Sequence, residues 1–127
     1  MASEGLHEAA EHLQPSTIDR HRAVVSLKEE LEAIDWYDQR IDATHDPDLR
    51  AVLIHNRDEE KEHAALVLEW LRQHDPKLEQ ELRKHLFNPQ PLVERARQEE
   101  EAQGGAPAAP SSDGSLGIRS LRAGVSR

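Results

Sequence analysis

An apolar stripe of helical period runs through Leu49, Val52, Leu53, Val67 and Trp70, and its middle is polar: Asn56, Glu60 and His63. At about 100° per residue all of these fall on one helix face, the face that should be buried. A carboxylate and an imidazole placed there need each other or a cation, because burying an isolated charge is very costly. The spacing Glu60-x-x-His63 puts both side chains on one patch of helix surface, which suits a single metal ion.

The segment before it has the same period. Val24, Leu27, Leu31, Ile34 and Ile41 alternate mostly by three and four, which predicts a helix from Thr17 to about Thr44 with Ser16 as its N-cap. Such a helix is roughly 40 Å long. Glu30 lies on the edge of this stripe, and Tyr37 two turns along the same edge, whereas Glu29, Glu32 and Trp36 point to another, acidic side. His45-Asp46-Pro47-Asp48 is the break, with Asp46 as N-cap and Pro47 at the first position of a second helix that runs to about His74. So short a connection predicts an antiparallel hairpin. Asp75-Pro76 stops that helix, and Leu78, Leu82 and Leu86 mark a shorter third one over Pro76–Phe87 that can cap an apolar end. Leu92 to Gln103 reads as one more, mostly polar helix.

Residues 1–15 carry no sustained stripe and read as a mobile N-terminal tail, so the helical domain spans 16–103. Residues 104–114, rich in Gly, Ala, Pro and Ser, read as a flexible linker. Beyond them Leu116, Ile118 and Leu121 sit at the end of a polar tail, too far from the domain to join its core. They read either as a random tail or as a short linear motif for a groove on another protein.

Composition narrows the chemistry. The chain has 127 residues, 36% of them hydrophobic and 32% charged, so a monomer is short of core. Without cysteine there are no disulfides and no thiolate metal sites, which leaves carboxylate and imidazole ligands and points to iron, manganese or zinc. A net charge of −9 disfavours nucleic acid and anionic membranes and favours accumulating cations. The start Met-Ala-Ser-Glu-Gly has no apolar run, and no stretch is long enough for a membrane span; the expected compartment is the cytoplasm.

Four-helix di-iron carboxylate proteins draw one glutamate from each of two helices and Glu-x-x-His from the other two. This chain offers Glu30 on one helix and Glu60 with His63 on the next, half the ligands on half the bundle. A two-fold homodimer doubles both, giving four carboxylates and two imidazoles for two cations about 3.5–4 Å apart. The same dimer relieves the shortage of core. The alternative is a buried Glu–His pair that sets helix register without metal. His55, Glu59 and Glu62 form a second face of ligand types, read as a weak outer cation site or, as most such faces are, a solvated charge run. His7, His12, His45, His74 and His85 read as surface residues.

With these residues assembled, the chain resembles the encapsulated ferritins, ferritin-like cargo proteins of encapsulin nanocompartments. The resemblance covers roughly 17–87 and rests on the block Glu29–Tyr37 and the block His55–Ala65. Ser115-Leu116-Gly117-Ile118 with Ser120-Leu121 is similar to the C-terminal peptides that load cargo into encapsulin shells. The resemblance implies an all-α, ferritin-like fold: an antiparallel two-helix hairpin plus a short C-terminal helix, completed to a four-helix bundle by homodimerisation. It implies a ferroxidase centre across the dimer interface, with Glu30, Glu60 and His63 holding two iron ions per dimer and Glu29 and Glu32 where iron comes in. Further implications are a ring of five dimers, dioxygen or peroxide as oxidant, and a place inside an encapsulin shell in the cytoplasm, reached through residues 115–127. A non-catalytic dimeric adaptor and a di-metal enzyme acting on peroxide are the competing functions.

Overall fold

Two prolines set where the long helices begin. The structure, a computed structural model, describes residues 5–104, and every regular element among them is helical. A 3₁₀ turn at Ala10–His12 precedes α1 (Pro15–Ala43), α2 (Pro47–Gln73), α3 (Pro76–His85) and α4 (Leu92–Gly104). The linker and Leu116, Ile118 and Leu121 lie outside the described residues, apart from Gly104, which is the last residue of α4.

α1 starts earlier than its sequence suggests. Gln14 is the cap residue and makes no side-chain cap bond, so Ser16 is not the N-cap. Proline's fixed φ and missing N–H suit the first helical position, and this carries Ser16 into the first turn. The α1–α2 connection is as expected: Asp46 Oδ1 accepts the Leu49 N–H at 2.9 Å, and Pro47 opens the helix. Asp46 N–H in turn donates to Thr44 Oγ1 at 3.2 Å. At the far end His74 stacks on Trp70 with ring centroids 3.8 Å apart, and Asp75 Oδ1 caps α3 through the Leu78 N–H at 3.0 Å.

The chain divides into two units, Met1–Lys84 and His85–Arg127. In the first, α1 and α2 pack as an antiparallel hairpin. The apolar residues buried among those described are only Ile41, Ala64 and Leu71. Val24, Leu31 and Val52, expected on a buried face, are 53, 53 and 55% exposed. Two helices in contact cover one strip each, so the rest of a wide stripe stays open. The α2–α3 corner is held by charge instead. Arg72 donates twice to Glu69, both at 2.7 Å, and also to Glu79 at 3.4 Å, while Arg83 donates to Glu79 as well. Arg72 and Gln73 beside Glu69 hold its carboxyl down at about 2.

The second unit is organised around a charge. Arg95 on α4 is buried and donates to the carbonyls of His85 (2.8 Å), Asn88 (3.1 Å) and Gln90 (2.6 Å), and to His85 Nδ1 (3.0 Å). It thereby satisfies carbonyls left open where α3 ends. The turn it holds includes Phe87, fully exposed at φ 56°, a left-handed conformation uncommon outside glycine. His85 is therefore not a plain surface residue: it is half-buried against a guanidinium.

Candidate metal centre

Glu60 and His63 share one turn of α2, and Glu30 reaches them from α1. His63 Nδ1 is 3.1 Å from Glu60 Oε1 and 3.6 Å from Glu30 Oε1. One potential ligand atom from each of the three lies within 4.8 Å of the others, the span over which a single cation can touch all three. Among the described residues this is the one group of three or more His, Asp or Glu side chains so placed. Two carboxylates and an imidazole are hard and borderline donors, which fit iron, manganese or zinc.

The cluster is open on one side. The Glu30 and Glu60 side chains are 27 and 24% exposed, and the His63 side chain is 48% exposed. Its carboxyls differ in proton affinity. Hydrogen bonding to Glu60, and then burial, raises the Glu30 carboxyl above its ordinary value. Hydrogen bonding with Glu30, and then with His63, holds Glu60 below its own. The two neighbouring carboxyls are thus pushed apart in proton affinity, Glu30 upward and Glu60 downward. The hydrogen bond to Glu60 raises His63. Two acidic groups and a basic one with displaced pKa values, gathered in one place, are a common signature of a functional site.

The remaining candidates are dispersed. Glu29 and Glu32 are exposed on α1 and do not join the cluster. His55 Nε2 pairs with Glu59 Oε2 at 3.6 Å, both exposed, and Glu62 does not complete a three-ligand group with them. Tyr37 lies under the Arg40 guanidinium, 5.6 Å from ring centroid to Cζ. Sequence reasoning missed Arg57 on α2. Its Nη1 donates to Asp38 Oδ1 across the hairpin at 3.0 Å, and its Nε to Asp58 Oδ1 at 3.2 Å. The available signal was an arginine one turn before Glu60 facing an acidic stretch of α1.

A sequence model of the EncFtn-like family matches residues 5–89, a span that includes the whole cluster. The chain belongs to this family, the encapsulated ferritins. Members elsewhere are close to it. An encapsulated ferritin-like protein of Rhodospirillum rubrum is 53% identical over 126 residues, covering 95% of this chain and 90% of the relative. A ferritin-like protein of Thermotoga maritima is 47% identical, over 91% of this chain and 96% of its own. An encapsulin nanocompartment cargo protein of Myxococcus xanthus is 46% identical over 52 residues, 41% of this chain and 40% of that one. Among solved structures, a crystal structure of a Nitrosomonas europaea protein superposes with a TM-score of 0.68 at 52% identity, covering 70% of this chain and 98% of the other. The helical, ferritin-like fold expected of an encapsulated ferritin is the one observed.

Proposed function

We propose that this encapsulated ferritin oxidises Fe²⁺ to Fe³⁺ at a di-iron centre shared by two copies of the chain. The observation that carries the reading is the convergence of Glu30, Glu60 and His63 within 4.8 Å. One protomer supplies half of a four-carboxylate, two-histidine set, and its open side is where a second copy adds the rest. The exposed Val24, Leu31 and Val52 supply apolar surface for the same association.

Iron is the substrate. Carboxylate oxygens bind Fe³⁺ more strongly than Fe²⁺, so the ligand set favours loss of an electron from each ion. Two irons held together give up their two electrons to one oxidant, dioxygen or peroxide, so free one-electron products are avoided. Glu60, whose carboxyl is held below its ordinary value, is the readier of the two acids to meet the incoming cation, and each ligand binds it in its deprotonated form. Exposed Glu29 and Glu32, close to Glu30 in sequence, are proposed as the carboxylates that iron meets first, and His55, Glu59 and Glu62 as a weak outer site.

A two-helix hairpin encloses no mineral cavity, so the ferric product is stored elsewhere. The relatives named for encapsulation and for nanocompartment cargo support a place inside an encapsulin shell, in the cytoplasm, with residues 115–127 as the loading peptide and Leu116, Ile118 and Leu121 as its anchors. A ring of five dimers is part of the same proposal. No helix among the described residues is long and apolar enough to cross a membrane.

One observation favours a second reading. The three polar side chains already satisfy one another within a protomer, as a metal-free structural pair in an adaptor would. Mixing aerobic Fe²⁺ with pure protein, while following ferric absorbance and particle mass, separates the two. Rapid oxidation with growth to dimers or rings supports the ferroxidase; no oxidation above the protein-free rate removes it. Loss of shell co-purification on deleting 115–127, with oxidation intact, tests the loading peptide separately.

A further inference from the structure

The ligand triangle is drawn from two helices, and only part of it is rigid by construction. The Glu60–His63 spacing is fixed by one turn of α2, but the distance from Glu30 to both depends on how α1 lies against α2. Apolar packing fixes this only in part. Of the buried apolar side chains, Ile41 and Leu71 are several turns from the cluster and only Ala64 adjoins it, while Leu27, Ile34, Leu53 and Val67 are half-buried. An alanine lets the helices come close but offers no knob to resist sliding or rotation.

A directional contact resists both. Arg57, one turn before Glu60, reaches across the hairpin to Asp38 at 3.0 Å while bonding Asp58 on its own helix at 3.2 Å. Its side chain is only 23% exposed, so the arm lies along the helix pair rather than in solvent. A guanidinium held at two of its nitrogens has a defined direction, and the carboxylate at its far end belongs to the helix that carries Glu30. From this geometry we infer that Asp38 and Arg57 are positioning residues of the metal centre, pinning the rotation and axial offset of α1 against α2 and so the seat of Glu30 opposite Glu60 and His63. The inference rests on the reading of those three residues as metal ligands.

The bridge is half in water, so it adds little to overall stability; its effect is concentrated in site geometry. Titration of full-length protein with Co²⁺, followed by visible absorption and calorimetry, reads that geometry without any redox step. Asp38→Asn and Arg57→Gln are each expected to weaken Co²⁺ binding roughly three- to tenfold, less than the roughly 10- to 100-fold typical of groups bonded directly to a ligand. The Co²⁺ absorption band should change shape while the melting temperature stays near the wild-type value. Asp58→Asn, which weakens the second hold on the guanidinium but keeps the bridge to α1, should cost less affinity than either Asp38→Asn or Arg57→Gln. The exchanged pair, Asp38→Arg with Arg57→Asp, should recover most of the affinity, and Arg57→Lys, which keeps one charged contact, should fall between. Wild-type affinity in both Asp38→Asn and Arg57→Gln overturns the inference, and so does an affinity loss that only follows a drop in melting temperature. Failure of the ligand assignment looks different: wild-type protein then binds no stoichiometric Co²⁺, or Glu60→Ala binds it equally well.

Discussion

The two units of this chain each place charged groups at the centre of a helical packing, and they treat them in opposite ways. In the hairpin, Glu30, Glu60 and His63 sit between apolar residues but stay a quarter to a half exposed, with displaced proton affinities. In the second unit Arg95 is buried, its two terminal nitrogens donate to three carbonyls and an imidazole while Nε has no partner among the described residues, and no apolar residue of α4 is buried beside it. The first arrangement is open and chemically available; the second is buried and structural. Burial against several backbone acceptors marks a charge that holds shape, whereas partial exposure with mutual competition marks one that can exchange its partner for a cation.

Substitutions should separate the two roles. The largest effect is expected in the hairpin: Glu60→Ala or His63→Ala should lower the rate of Fe²⁺ oxidation about 100-fold or more, since each removes a ligand from a centre that needs all of them. Helix content by circular dichroism should hold. Rates like wild type in either variant would sink the assignment. Next comes Arg95→Met, which strips three carbonyls of their donor and should destabilise residues 85–104 by about 2–3 kcal/mol, read as faster amide hydrogen exchange there. Iron oxidation should be spared. Equal loss of oxidation in Arg95→Met and Glu60→Ala would erase the contrast.

Proton competition gives a finer test. The His63 pKa is raised by Glu60, so the contact stabilises the protonated imidazole; that contribution is present below the unfolded-state value and is lost as pH rises through the folded one. Metal needs the neutral ring, so Co²⁺ affinity should climb with pH through a midpoint above the ordinary histidine value of about 6.5. A midpoint at or below that value would speak against the contact. The smallest effect is at the turn: Asp46→Ala removes the cap on the Leu49 N–H and should cost about 1 kcal/mol of thermal stability.

Much of the hairpin could be read from the chain. Asp46-Pro47 and Asp75-Pro76 are local signals whose physics is complete within four residues, and both act where expected. Glu60 and His63 stand out because a polar pair interrupts a periodic apolar stripe, and Glu30 because it borders the matching stripe on α1. The Arg95 clasp was not legible. A lone arginine in a polar helix reads as solvated, and its partners are backbone carbonyls that carry no residue-specific signal. The open flank at Val24, Leu31 and Val52 was legible only as a shortage of core in one chain: periodicity says which residues share a face, not how much of that face one neighbour can cover.

That open flank has a kinetic consequence. If the proposed centre is shared by two copies it obeys mass action, and its activity should rise faster than linearly with protein concentration until association saturates. Dispersed chains would leave iron alone, and crowding them into a small volume would switch the chemistry on.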